Sequence, residues 1–406
     1  MDLQIFFEEQ DKLLENITLS TKRYLFDAIN WNLKSIGILG QRGCGKTTLM
    51  LQYIKANYMD TDEALYVSLD HFLFQDIGLY AFAKTFSQHG GKVLFVDEVH
   101  KYRDWDTHLK NIYDYLNIRV VFSGSSLLSI QKQNADLSRR SIIYHLENLS
   151  FREYLEFTGV GRFSAYPIEE ILAHHKEIAR EITTDLKILK YFDAYLKHGA
   201  YPFVLEDEAS YYRRINQMIN IILESDLPHV NTIEFAQIRK LKRLLFLLAQ
   251  SVPFVPNITK LATETDISRP KIYAYLNYLE DAKIINAIKS KEKGYKVLSK
   301  PDKLLMQNTS ISYALTREPD KGNLRETFFV NMIKNYYNAF SRIYDNSIYS
   351  SKIGDFLVEE KYVFEVGGAK KGYKQIQDIQ ESYIAADGIE IGYGHKIPLW
   401  LFGFLY

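Results

Sequence analysis

The run GQRGCGKT, from Gly40 to Thr47, limits what this chain can fold into more than any other segment. A short apolar stretch, Ser35 to Leu39, leads into it, and a helix-like stretch, Thr48 to Ala56, follows. Strand, glycine-rich loop, Gly-Lys-Thr and helix make up the Walker A arrangement. Glycine has no Cβ, so successive backbone N–H groups can turn inward around phosphate oxygens. The N-terminus of the next helix adds partial positive charge beneath the anion. Gly40, Gln41, Arg42, Gly43, Cys44, Gly45, Lys46, Thr47 and Thr48 are therefore the expected cradle for a nucleoside triphosphate such as ATP. Lys46 would reach the outer phosphates as a point charge, and the Thr47 hydroxyl would serve Mg²⁺.

A second segment, VLFVDEVH, has the hydrophobic run and Asp-Glu ending of a Walker B strand. Asp97 is expected in the Mg²⁺ shell, and Glu98 is expected to orient and deprotonate the attacking water. A kinase is the rival for any phosphate loop. A water-activating Glu beside the metal Asp argues for hydrolysis instead, because an acceptor substrate does not need it. A third strand, Arg119 to Phe122, runs into SGSS. Ser123 at its end is the expected reader of the γ-phosphate, with Ser125 behind it; small hydroxyls also serve turns at such places. Arg139 and Arg140 follow Ser138 and are the residues best placed to act as a finger from a neighbouring subunit, which implies a homo-oligomer. A solvated loop pair fits them equally well. Ala64 to Leu69 reads as one more parallel strand. Strands alternating with helices predict an α/β fold, a three-layer parallel sheet with its site at the carboxyl ends of the strands.

At 406 residues the chain is long for one core, and 47% apolar with 25% charged residues describes folded domains. Fifty basic and fifty acidic residues cancel, so any nucleic-acid binding must come from a local patch. No apolar run is long enough to span a bilayer. The first residues, MDLQIFFEEQ, lack the basic and apolar regions of a signal peptide. The single cysteine, Cys44, excludes an internal disulfide and suits the cytoplasm. Inside the loop it is either a small filler or a thiol activated by the helix N-terminus.

These stretches, with LENLSFREYL, YLKHGAYP and EVGGAKKGYKQI, resemble one family over nearly the whole chain. It comprises AAA-type P-loop ATPases of bacteria and archaea whose C-terminal half holds a winged helix and a restriction-nuclease-like domain. The resemblance implies ATP binding and hydrolysis, with a helical lid after the core. It divides the chain into an ATPase core over 1–155, a lid over 156–250, a winged helix-turn-helix over 251–310 and a small α/β nuclease-like domain over 311–406.

The residues of the C-terminal half read compatibly. Ile258 to Thr265 and Arg269 to Leu279 are two helices about a short turn, with Ser268 as N-cap, and a hairpin centred on Gly294 follows. Arg269, Lys271 and Tyr273 would face DNA, and Lys293 and Lys296 would meet phosphates. A protein-contact scaffold is the alternative. Further on, Glu326 on a helix, Asp355 and the strand-borne Glu365 resemble the metal site of restriction-type nucleases. The lysine expected two residues after the Glu is missing: Gly367 stands there, and Lys370, Lys371 or Lys374 would have to reach back. The expectation is a cytoplasmic, Mg²⁺-dependent ATPase coupled to DNA or to a partner protein. The alternatives are a nucleotide switch with little turnover and an ATP-regulated nuclease used in defence.

Overall fold

Five apolar runs in the first part of the chain each become a strand: β1 (Ser35–Gly40), β2 (Ala64–Ser68), β3 (Val93–Asp97), β4 (Arg119–Ser125) and β5 (Ile142–Leu146). In the computed structural model, which describes residues 3–59, 61–125, 139–230, 233–250, 256–291, 300–340 and 347–406, they form one sheet in the order β2-β3-β4-β1-β5. Every pairing is parallel. A parallel sheet carries helices on both faces, so its strands are apolar on both sides. In β3, Leu94 and Val96 join one core with Phe82, Phe86 and Leu109, while Val93 and Phe95 join the other with Leu49, Met50 and Ile54. This is the expected three-layer arrangement.

The edge strand β2 is covered by the helix Gln4–Glu15. The Gln10 side chain donates to the Ala64 carbonyl at 3.4 Å and accepts from the Tyr66 N–H at 2.7 Å. One amide thus takes the place of a missing strand and blunts an edge open to pairing.

The chain separates into two compact units, Met1–Glu147 and Asn148–Tyr406. The segment LSFREYL opens the second unit. It forms a capping box, in which the Glu153 N–H donates to Ser150 Oγ at 3.1 Å and the Ser150 N–H to Glu153 Oε2 at 3.2 Å. Ser150 Oγ and Arg152 Nε both donate to the Tyr406 carbonyl, at 2.7 and 3.0 Å. Phe151 packs on Phe192, Tyr195 and Phe404, and Phe192 packs on Phe328. These aromatics tie the helices that open the second unit to the last residues of the chain.

Two further sheets lie in this unit. β6 (Ile285–Ile288) and β7 (Lys303–Met306) pair antiparallel after the helices Ile258–Thr265 and Arg269–Asp281. β8 (Ile348–Ser350), β9 (Phe356–Val358), β10 (Tyr362–Gly368), β11 (Ser382–Asp387) and β12 (Lys396–Pro398) form a mixed sheet in the order β12-β11-β10-β9-β8. The Ser350 N–H donates to the Lys289 carbonyl at 2.9 Å, which joins the hairpin to the edge of that sheet.

Candidate functional site

All five strands of the first sheet run the same way, so their carboxyl ends share one rim. Gly40 closes β1 and Asp97 closes β3. β4 stands between them, which sets Ser123 between the phosphate loop and the Asp97–Glu98 pair. Gly43 and Gly45 take φ of 79° and 99°, values that residues with a side chain rarely adopt. A Cβ at Gly40 would run into the Leu146 carbonyl. The helix Lys46–Asn57 starts directly after Gly45, so its first N–H groups end at the loop.

Lys46 is buried, and its Nζ donates to the Gly40 and Gln41 carbonyls at 3.0 and 3.2 Å. Thr47 Oγ1 donates to Asp97 Oδ2 at 2.6 Å, and the Tyr66 hydroxyl donates to the same oxygen at 2.8 Å. Ser123 Oγ donates to Asp97 Oδ1, which also accepts the Glu98 N–H at 3.0 Å. The Asp97 carboxylate, 1% exposed, therefore sits in a ring of donors that fix its orientation. Glu98 has φ 52°, a left-handed conformation that costs a non-glycine residue about 1–2 kcal/mol and turns its side chain off the strand line. Its Oε2 lies 3.3 Å from His100 Nε2. Burial raises the Glu98 pKa; Lys46 and Arg42 pull it down, while Asp97 and Asp70 push it further up. Gln41 is buried at the loop's start, whereas Thr48 points out to solvent.

Hard oxygens from Thr47 and Asp97, 2.6 Å apart, suit Mg²⁺, which takes one or two protein oxygens and fills its shell with phosphates and water. Among the described residues no group of three or more His, Cys, Asp or Glu side chains is placed to hold a metal on its own.

Two participants escaped the sequence reading. Tyr66 lies within the stretch Ala64 to Leu69, expected only as a parallel strand. Arg23 is 4% exposed, and its guanidinium donates to the Cys44 carbonyl inside the loop and to the Glu147 carbonyl at 2.7 Å. Neither has a local sequence signal, because both act across long separations. Cys44 is fully buried, packed within the apolar cluster beneath the loop. That is the place of a small filler, and the activated-thiol reading fails for lack of access.

Arg139 and Arg140 lie at the other end of the sheet. β5 starts beside Ile36 and ends beside Gly40, so the residues before it sit at the amino ends of the strands. Arg140 forms a two-pronged ion pair with Asp114 at 2.9 and 3.0 Å, and Arg139 is exposed. Neither reaches the phosphate loop of its own chain.

In the second unit Arg269 and Lys271 are exposed and Tyr273 is half-buried, on the helix Arg269–Asp281. Ser268 occupies the N-cap position without a side-chain capping bond. Lys293, Lys296 and the hairpin tip at Gly294 fall outside the described residues. Glu326, Asp355 and Glu365 do come together, but each is met by an ammonium group. Lys303 Nζ lies 2.8 Å from Glu326 Oε2 and 3.2 Å from Asp355 Oδ1, and Lys371 Nζ pairs with the buried Glu365. The Lys371 stem runs over Gly367, within 3.0 Å of where a Cβ would stand. A glycine at 367 is what lets Lys371 reach Glu365. Lys370 and Lys374 form no ion pair with these carboxylates.

Residues 32–155 match the family model described as an AAA domain. The matched stretch spans most of the first unit and includes the phosphate loop and the Asp97–Glu98 pair, so this unit resembles an AAA domain. Residues 189–322 match a domain of unknown function, DUF8612. Two uncharacterised proteins of Methanocaldococcus jannaschii resemble the chain. MJ1637 is 29% identical over 96% of this chain and 84% of its own length, and MJ1544 is 25% identical over 80% and 73%. Among solved structures, the Walker-type ATPase PABY2304 of Pyrococcus abyssi is 13% identical, covering 73% of this chain and 99% of its own, at a TM-score of 0.41. The replication initiator DnaA bound to AMPPCP and single-stranded DNA is 14% identical, covering 73% and 91%, at 0.25. Among the described residues, no helix is long and apolar enough to cross a membrane.

Proposed function

We propose that this protein hydrolyses ATP with Mg²⁺ at the rim formed by β1, β3 and β4. One observation carries the reading: Thr47, Ser123 and the Glu98 N–H all converge on the Asp97 carboxylate beside a buried Lys46. Mg²⁺ held by Thr47 and Asp97 would supply charge neutralisation between the outer phosphates. The loop N–H groups and Lys46 bind the β- and γ-phosphates; Lys46 trades its two carbonyl partners for phosphate oxygens. Glu98, held off the strand line by its left-handed backbone, takes the proton of the attacking water. Ser123 orients Asp97 and would be the reader of the γ-phosphate. Arg139 can serve only the site of a second copy, so its role rests on a homo-oligomer.

DNA or a partner protein is the proposed load on the second unit, through Arg269, Lys271 and Tyr273, a helix-turn-helix face followed by the β6–β7 pair. The decisive experiment measures ATP turnover by the wild type and by Lys46→Ala, with and without single- and double-stranded DNA, over a salt series. Turnover that vanishes in Lys46→Ala and rises with DNA at low salt supports both halves of the reading. Phosphate contacts would make the DNA effect fall steeply with salt. Turnover indifferent to DNA leaves a partner protein as the load, and ATP bound without turnover makes the protein a switch.

A further inference from the structure

The three carboxylates Glu326, Asp355 and Glu365 belong, by resemblance, to a fold that uses a divalent cation. Their surroundings do not fit one. Glu326 and Asp355 already share a single ammonium group, that of Lys303, at 2.8 and 3.2 Å. Asp355 Oδ2 is taken by the Val366 N–H at 2.9 Å. Glu365 is paired with Lys371. Two lysines thus meet three carboxylates.

Lys303 comes from outside the sheet that carries the acids. It opens β7 and pairs with Ile288 of β6, while Asp355 precedes β9 and Glu326 sits on the helix Lys321–Ala339. Its Nζ also lies 4.5 Å from the centre of the Phe356 ring, so the ring face steadies the charge. The hairpin is held against β8 by the Ser350 N–H to Lys289 carbonyl bond. Lys303 is about one-fifth exposed. The ammonium is therefore fixed from both sides: by backbone pairing along its strand and by two acids and a ring at its tip.

We propose that Lys303 is the resident cation of this cluster and excludes a divalent metal from it, so that the β6–β7 hairpin closes the carboxylate site. An ammonium and a divalent ion cannot share the same two oxygens, and their mutual repulsion is poorly screened in a site this far from solvent. Removing the Lys303 charge strips Glu326 and Asp355 of the ammonium they share, leaving nearby, among the described residues, only Lys371, which is itself paired with Glu365. Glu326 and Asp355 would then take up a hard cation, whose ligands are oxygens of this kind. The proposal stands apart from ATP hydrolysis, since the cluster and the phosphate loop belong to different units.

The test titrates Mn²⁺ into the full chain without nucleotide, followed by the electron paramagnetic resonance of free Mn²⁺. Wild type, Lys303→Met, Asp355→Asn and the double variant Lys303→Met/Asp355→Asn are compared. The expected result is that wild type and Asp355→Asn bind alike. Lys303→Met should gain one site, roughly tenfold or more tighter than anything in wild type, and the double variant should lose it. Wild-type binding that disappears in Asp355→Asn overturns the proposal, and so does a folded Lys303→Met that gains no site. Should Lys303→Met fail to fold, thermal melting decides: a Mn²⁺-dependent rise in wild type that Asp355→Asn lacks overturns the proposal, and equal behaviour of the two supports it.

Discussion

Thr47 Oγ1 donates a 2.6 Å hydrogen bond to Asp97 Oδ2. The two residues are fifty positions apart and come from the motifs that bracket β2. The sheet order accounts for their meeting, because β4 fills the space between β1 and β3 and leaves their carboxyl ends at one level. Thr47→Val keeps the shape and removes the hydroxyl. It should lower Mg²⁺-dependent ATP turnover by about 10²-fold or more, while Thr47→Ser retains most of it. Steady-state phosphate release checks this; a Thr47→Val protein with wild-type turnover contradicts it.

Glu98 carries the pH dependence. Its pKa is raised above 4.5, first by burial, and a base must be ionised to act. The acid limb of kcat/KM should therefore fall at a pH above 4.5, and a limb at or below that value contradicts the assignment. The same shift acts on stability with the opposite sense. The folded chain binds this proton more tightly than the unfolded chain. The stabilisation is thus full below 4.5 and is lost as pH rises through the raised pKa.

Arg23 is the prediction that concerns shape. Its guanidinium satisfies the Cys44 and Glu147 carbonyls from a buried position. Arg23→Met leaves both without that donor, at a cost of about 1–3 kcal/mol for a buried polar group left unpaired. The melting temperature should fall, and KM for ATP should rise by more than kcat falls, because the loop loses its support before the water-activating group is touched. Unchanged melting and KM would remove Arg23 from the account.

Cys44 should be inert. It is fully buried, so a maleimide should label it only after unfolding, and Cys44→Ala should retain turnover within a few-fold. Labelling of the native protein at the rate of the unfolded chain would show an access path that the packing does not have.

The first unit was largely legible in the sequence because its signals are local. Glycines needing positive φ, a Lys-Thr at a helix start and acids at a strand end each declare themselves within a few residues. Tyr66 and Arg23 did not, since a buried hydroxyl or guanidinium is defined by what the fold brings to it. The second unit was harder for the same reason. Ser150 and Glu153 spell a capping box, yet nothing near them points to the Tyr406 carbonyl that Ser150 meets across 256 positions. Lys303 is one lysine among many until β7 carries it to Glu326 and Asp355. The packing of Phe151 onto Phe404 and of Phe192 onto Phe328 joins segments far apart in the chain and has no local signal either.

The central claim is hydrolysis at the Asp97–Glu98 rim, and Glu98→Gln tests it most directly. Phosphate release from Mg²⁺-ATP and equilibrium ATP binding should be measured on wild type and variant together. The account predicts that Glu98→Gln binds ATP as wild type does and releases phosphate about 10²–10⁴-fold more slowly. Equal turnover by the two proteins would contradict it.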